Sequence, residues 1–206
     1  MTETSGRRGE YAKSEQRRRE ILAAAVEVFS ESGFRDGALR DVAERAGITH
    51  AAIRYHFPTK VDLLQAVLRW RDDRALSTGG DNHSAGVDVL HAWLVEIRRN
   101  SEAPGLVMLE ATLSAEAATP EHPAFEHFSR HDRIAFKLLL RAFEQLEKDG
   151  QLAPGCTPDS TARIVLGATM GLQAWWIRNR TFDVAEELHH LLQRLVTAEI
   201  RPANDS

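Results

Sequence analysis

Apolar residues recur along most of this chain at the spacing that places them on one face of an α-helix. No window alternates apolar and polar residues over several positions, as a half-buried strand would. The first apolar stripe comprises Ile21, Ala25, Val28 and Phe29. Gly33 follows this stripe, where a left-handed glycine commonly ends a helix. The pattern predicts an all-α protein whose first helix extends from about Ser14 to Ser32.

Two short helices and a longer one are predicted next. The second helix ends at Gly47, and the third runs from a cap at Thr49 to about Tyr55. Thr59 is followed three residues later by Asp62, the spacing of a capping box. This pair predicts the start of a fourth helix, which extends to about Leu76.

Five further helices are predicted after a loop over residues 77–84, which is rich in Gly, Asp and Asn. Their expected starts are near Val87, at Pro104, at Pro123, at Pro158 after a capping Thr157, and after a capping Asp183. The long helix from Pro123 is expected to bury Phe125, Phe128, Phe136, Leu139, Phe143 and Leu146. The helix from Pro158 is expected to reach about Asn179.

The second and third helices have the pattern of a helix-turn-helix motif. Ala43 and Ala46 are small enough to let two helices cross closely, and Gly47 permits a tight turn. Ile48 and Ile53 are placed to anchor the third helix in a core. This geometry predicts that the third helix lies in the major groove of double-stranded DNA.

The outward positions of the third helix are the candidate DNA-reading residues. His50 and the methyl groups of Ala51 and Ala52 are candidates for base contacts, the methyls against thymine. Basic and hydroxyl side chains nearby are suited to phosphates, which position a protein without reading sequence. The predicted DNA-binding residues are Arg40, Thr49, His50, Ala51, Ala52, Arg54, Tyr55 and Lys60.

Composition fits an ordinary globular protein: 206 residues, 43% of them hydrophobic and 27% charged. Cys156 is the only cysteine, so no intramolecular disulfide can form, and a reducing cytoplasm is expected. The longest apolar stretch, residues 164–177, is too short to cross a bilayer, and no membrane association is expected.

The charges are unevenly distributed along the chain. Residues 1–70 carry 12 Lys or Arg against 10 Asp or Glu, whereas the whole chain has a net charge of −4. A basic N-terminal part suits contact with a polyanion.

The N-terminal pattern resembles the TetR family of one-component transcriptional regulators over about a quarter of the chain, from Ile21 to Leu64. The residues that carry the resemblance are Ile21-Leu22-Ala23-Ala24-Ala25, Phe29, Gly33-Phe34, Val42-Ala43, Ala46-Gly47-Ile48-Thr49, Tyr55-His56-Phe57-Pro58-Thr59-Lys60 and Leu63-Leu64. The chain departs from the family at Ala38, where a capping Thr or Ser is common, and at Arg54, where a tyrosine is usual.

The resemblance implies two domains and a ligand-controlled regulator. A helix-turn-helix DNA-binding domain with its N-terminal tail would occupy residues 1–60, and a helical ligand-binding and dimerisation domain residues 61–206. The family also implies a homodimer built on the last two helices, a palindromic operator and a small-molecule effector that releases a repressor from DNA. Large side chains on the middle helices are the candidates for the effector pocket: Trp93, Met108, Phe128, His131, Met170, Trp175 and Trp176.

Other function classes have weaker support. The chain has no serine elbow, phosphate-binding loop or zinc-binding His-Glu motif, so neither catalysis nor a cofactor is expected. His127 and His131 lie one helical turn apart, but without partner cysteines no metal site is expected. A helical protein-interaction module that does not bind DNA remains the alternative. Salt-sensitive retention on heparin would distinguish the regulator from that module.

Overall fold

The computed structural model describes residues 4–76 and 86–203, and within them the chain forms nine α-helices and no strand. The all-α prediction is therefore confirmed. The helices are α1 (Thr4–Asp36), α2 (Leu39–Arg45), α3 (His50–His56), α4 (Lys60–Leu76), α5 (Val87–Ser101), α6 (Pro104–Glu116), α7 (Phe125–Lys148), α8 (Pro158–Trp176) and α9 (Val184–Leu195). None of the described helices is long and apolar enough to cross a membrane.

Most helix starts follow the predicted signals, but α1 begins earlier than predicted, α7 begins at Phe125 rather than at Pro123, and α8 ends earlier. The first helix begins at Thr4 rather than near Ser14, because Ser14 lies within a run of helix-forming residues and does not start the helix. The predicted break at Gly33 is present, with φ 69° and ψ −179°. Helix α8 ends at Trp176, before the predicted Asn179. The predicted loop at 77–84 lies outside the described residues.

Three of the four predicted helix caps form, at Thr49, Thr59 and Asp183, and one does not. The Thr59 hydroxyl accepts from the Asp62 N–H at 3.1 Å, and the Asp62 carboxylate accepts from the Thr59 N–H at 3.0 Å. The Asp183 carboxylate accepts from two N–H groups at the start of α9. The prediction for Thr157 was wrong, because its side chain makes no capping hydrogen bond. Pro158, the first helical residue, has no N–H to be satisfied there.

The buried residues form two hydrophobic cores. The first lies within α1 to α4 and also includes Leu109 and Leu113 of α6 and Phe128 of α7. Its α4 members extend to Leu68, so this packing continues past the predicted domain boundary after residue 60. The second core joins α5, α7, α8 and α9. Helix α6 contacts both parts, since its Val107 belongs to the second core.

The long helix α7 buries most of the predicted side chains, but two phenylalanines are only half-buried. Phe128, Leu139, Phe143 and Leu146 are buried. Phe125 lies in the first turn of α7, and Phe136 lies under the Arg163 guanidinium, 5.0 Å from its ring centroid. These two rings therefore lie at the margin of the core rather than inside it.

Candidate functional site

Helices α2 and α3 form a helix-turn-helix. The turn between them contains Gly47 at φ 64°, a left-handed conformation that glycine adopts without strain. The Ile48 N–H donates to the Ala43 carbonyl at 2.9 Å and closes the turn. Ile53 is fully buried and fixes the inner face of α3 against the first core. The opposite face of this seven-residue helix is therefore held outward.

The outer face of α3 carries the predicted reading residues. His50, Ala51 and Arg54 are exposed, and Tyr55 is 84% exposed. The Thr49 hydroxyl accepts from the half-buried Ala52 N–H at 3.1 Å, so it caps the helix. The fixed inner face and free outer face give α3 the form that reads the edges of bases in a major groove.

Arg40 and Lys60 flank α3 and differ in their surroundings. Arg40 is exposed on the first turn of α2. The Lys60 ammonium donates to the Arg35 carbonyl at 3.1 Å and lies 4.5 Å from the centroid of the Phe34 ring. Lys60 therefore also helps to hold the end of α1 beside the start of α4.

Helix α2 begins after Ala38, whose side chain cannot cap the first turn. The Asp41 carboxylate accepts from the Ala38 N–H at 3.1 Å. On the other side of α2, the Arg45 guanidinium pairs with Glu27 and Glu31 of α1, at 2.9 Å each. Hydrogen bonding by Arg45 lowers the pKa of Glu31. These contacts tie α2 to α1 without a capping Thr or Ser.

A cavity of about 260 Å³ lies among α4, α5, α6, α7 and α8. Its walls are mainly aliphatic, with a smaller number of charged and amide side chains. The lining residues are Arg71, Trp93, Glu96, Ile97, Arg99, Asn100, Ala103, Leu106, Val107, Glu110, His131, Ile134, Ala135, Leu138, Leu166, Thr169, Met170 and Gln173. This composition suits a small, largely apolar ligand with one polar group.

Some of the predicted pocket residues lie at this cavity and others do not. Those that line it are Trp93, His131 and Met170. The Trp93 indole N–H donates to the Thr169 hydroxyl at 3.2 Å, which fixes the ring in the wall.

The other predicted pocket residues, Met108, Phe128, Trp175 and Trp176, do not line the cavity. Phe128 packs in the first core and Trp176 in the second. Trp175 is 53% exposed on the outside of α8, against Phe182. Met108 is half-buried on α6, away from the cavity. Neighbouring positions on one helix face different surroundings, which is why these four residues lie apart from the cavity.

The charged side chains of the cavity were missed by the sequence pattern. Arg71 pairs with Glu110 at 2.5 Å, and the His131 Nε2 lies 3.8 Å from the same carboxylate. One guanidinium nitrogen of Arg71 and one of Arg99 are buried without a hydrogen-bond partner. The sequence offers one signal for these residues. Glu110 lies close to the apolar Val107 and Leu109 of α6, a position that suggests a side chain directed toward the interior.

The histidine pair of α7 lies beside the cavity. The rings of His127 and His131 stack with centroids 6.5 Å apart, and the His127 Nδ1 lies 3.7 Å from the Asp72 carboxylate. Burial lowers the pKa of His127, although Asp72 opposes this effect. Within the described ranges, no group of three or more His, Cys, Asp or Glu residues could hold a metal ion.

Comparison with known proteins agrees with the helix-turn-helix. Residues 21–67 match the family model of bacterial regulatory proteins of the TetR family. The repressor BepR of Brucella suis is 24% identical over 201 residues, which cover 94% of this chain and 96% of BepR. The regulator UidR of Escherichia coli K12 is 26% identical over 161 residues, covering 76% of this chain and 80% of UidR.

Solved structures share the whole architecture. NalD, the secondary repressor of the MexAB-OprM multidrug efflux pump in Pseudomonas aeruginosa, superposes with a TM-score of 0.69 at 26% identity, over 90% of this chain and all of NalD. A TetR regulator from Chloroflexus aurantiacus has the same fold, with a TM-score of 0.70 at 20% identity over 90% of this chain and 98% of that one. Together with the exposed reading helix, these matches favour a regulator over a protein-interaction module without DNA binding. Residues 21–67 carry the DNA-binding domain of TetR-family proteins, and the matches along the rest of the chain support a DNA-binding transcriptional regulator of this kind.

Proposed function

We propose that this regulator is a homodimeric repressor, and that a small molecule bound in the cavity of about 260 Å³ releases it from a palindromic operator. The observation that carries this proposal is the presence of an outward-facing α3 and a partly open cavity, joined through α4 and α6. BepR and NalD, both named as repressors, match this chain over most of its length, which supports repression. A protein that binds chromosomal operators would act in the cytoplasm.

The outer face of α8 supports self-association. Exposed positions recur along this helix at helical spacing and carry apolar or small side chains: Ile164, Gly167, Met170, Gly171 and Trp175. A Cβ added at either glycine would meet no atom within 4 Å, so both leave room for a second backbone. The exposed Ile134 and Leu138 lie on the neighbouring α7. The outward positions of α9 are mainly polar, so α8 is the proposed centre of the dimer interface.

Helices α4 and α6 connect the cavity to the DNA-reading head, which comprises helices α1, α2 and α3. Arg71 of α4 pairs with Glu110 of α6 at the cavity wall. At the start of α6 the Ser30 hydroxyl of α1 donates to the Gly105 carbonyl at 2.8 Å. At its end the Glu116 carboxylate accepts from the Phe34 N–H at 2.7 Å. A shift of α6 on ligand binding would therefore reach α1, which directly precedes the helix-turn-helix.

Release from DNA requires that the ligand prefer the conformation that does not bind DNA. A 10-fold preference corresponds to about 1.4 kcal/mol of coupling, and DNA must then weaken ligand binding by the same factor. A ligand that binds both conformations equally releases nothing. The proposal therefore predicts reciprocal effects of DNA and ligand on each other's affinity.

Replacing His50 with alanine tests the reading role of α3. If His50 contacts a base, the substitution should weaken operator binding by about 1–3 kcal/mol and affect random DNA less. The protein is first used to select its operator from genomic fragments, and footprinting should then show two half-sites roughly 34–36 Å apart or a multiple of that distance. Binding to operator and random DNA is compared by fluorescence anisotropy at one salt concentration.

The matched control for His50→Ala is Gln16→Ala, a change at another exposed polar position of the head that lies outside the helix-turn-helix. It should leave operator binding nearly unchanged. Equal losses on both DNAs would make His50 a backbone contact, and full affinity for a single half-site would refute the dimeric mode of binding.

Replacing Ile164 with glutamate tests the dimer interface. A buried, unpaired carboxylate at the centre of an interface is strongly unfavourable, so the variant should be monomeric at concentrations where the native chain is a dimer. Val95→Glu on α5 is the control, since Val95 is an aliphatic residue of similar exposure on another surface. Sedimentation velocity measures the mass of each. A dimeric Ile164→Glu variant would place the interface away from this face of α8.

A further inference from the structure

Two arginines of the cavity wall each have a buried guanidinium nitrogen with no acceptor. Nη1 of Arg71 and Nη1 of Arg99 are both buried and form no hydrogen bond. Arg99 also forms no ion pair with any residue in the described parts of the chain. A buried guanidinium donor without an acceptor is costly, so each of these nitrogens needs an acceptor such as an ordered water, an ion or a ligand.

The carboxylates that face the cavity are already engaged. Glu110 pairs with Arg71 and lies near His131, and Glu96 takes part in an interaction of its own. The Thr169 hydroxyl is also used, because it accepts from Trp93 and donates to the Val165 carbonyl at 2.8 Å. Among the buried side-chain atoms of the lining residues, those without a hydrogen-bond partner are therefore two guanidinium nitrogens, which are donors and carry positive charge.

The rest of the wall selects for an apolar body of limited size. Leu106, Val107, Leu138, Leu166 and Met170 surround the cavity, and the ring of Trp93 is fixed beside them. A volume of about 260 Å³ is slightly below the usual range for drug-sized ligands, which begins near roughly 300 Å³. The cavity thus suits a compound of one or two rings or a short alkyl chain.

We propose that the effector is a compact apolar carboxylate, and that the Arg99 guanidinium recognises its negative charge. This inference rests on the proposed function, since it names the ligand class of the same cavity. A guanidinium donates two parallel hydrogen bonds to a carboxylate, which gives it specificity as well as affinity. Arg71 supplies a second donor from α4, but its pairing with Glu110 makes it a poor residue to replace, because Glu110 would lose its nearest cationic partner.

The test compares two probes of the same shape and different charge, 2-naphthoate and 2-naphthamide, by isothermal titration calorimetry on the full chain without DNA. The native protein should bind the carboxylate at least about 10-fold more tightly than the amide, a difference of about 1.4 kcal/mol. Arg99→Gln should remove this preference by weakening only the carboxylate, and Arg99→Lys, which keeps the charge, should restore part of it. Circular dichroism establishes that each variant is folded.

Arg98→Gln is the matched control. Arg98 is the neighbouring arginine of α5, but it pairs with Asp183 at 2.8 Å and does not line the cavity, so the preference for the carboxylate should persist in that variant. Equal affinity for the two probes, no binding of either, or a preference that survives in Arg99→Gln would overturn the proposal. Binding through Arg99 that leaves operator affinity unchanged would instead refute the effector role of the cavity and leave the ligand class standing.

Discussion

Replacing Phe57 with alanine is expected to lower the free energy of unfolding by about 3–5 kcal/mol, the range for removing a buried aromatic ring. Phe57 ends the reading helix α3, is 2% exposed and belongs to the first core. The Arg18 guanidinium of α1 lies 4.6 Å from the centroid of its ring. Because the ring joins α3 to α1, its loss should abolish operator binding together with the folded head. Urea unfolding followed by circular dichroism measures the first effect.

Tyr55→Ala is the control for Phe57→Ala, since both substitutions remove one aromatic ring from neighbouring positions of the same motif. Tyr55 is 84% exposed, so its loss should change the free energy of unfolding by no more than about 0.5 kcal/mol. If the hydroxyl contacts a phosphate, its loss should still weaken binding to operator and random DNA alike, but it should leave the salt slope nearly unchanged, because a neutral hydroxyl displaces no counterion. A Phe57→Ala variant of nearly native stability would show that the head does not depend on this anchor.

The contrast between these two residues explains why the head was predictable from sequence. Its function depends on which side of a short helix faces inward, and the spacing of Ile53 and Phe57 determines this locally. The capping pair Thr59 and Asp62 is equally local, and both of its hydrogen bonds form as predicted. Thr157 failed as a cap because a suitable residue type at the right position does not ensure that the side chain makes the bond.

The cavity could not be predicted in the same way. Arg99 and Glu96 lie on helix α5 at spacings that also describe a solvated helix face, and nothing local shows that α4, α6, α7 and α8 surround them. The size of Trp175 and Trp176 suggests that both line a pocket, yet Trp175 is exposed and Trp176 lies in the second core. Residues that line a cavity are determined by packing between distant segments, so their identity emerges only from the assembled fold.

Packing between distant segments also determines the role of Gly33, which the sequence marked only as a helix end. The chain breaks from helical geometry at this residue, with φ 69° and ψ −179°, a region that only glycine occupies without strain. The break exposes the Phe34 N–H, which donates to the Glu116 carboxylate at the end of α6. A Cβ on Gly33 would overlap that carboxylate. The end of α1 and the end of α6 are thus held together at one point.

Gly33→Ala should therefore destabilise the protein by about 2–4 kcal/mol, since it combines backbone strain with loss of a hydrogen bond to a carboxylate. Gly105→Ala is the control, because a Cβ there meets no atom within 4 Å, and alanine in a helix should be neutral or stabilising by up to about 1 kcal/mol.

A double-mutant cycle tests whether the two helix ends are coupled. Glu116→Ala should lower the free energy of unfolding less in the Gly33→Ala background than in the native chain, since the overlap is then relieved. Strictly additive losses in this double-mutant cycle, measured by urea unfolding, would show that the two ends are not coupled. If they are coupled, the same substitutions should also weaken the reciprocal effect of ligand and DNA, because α6 lines the cavity and contacts the break in α1 that precedes the DNA-reading helices.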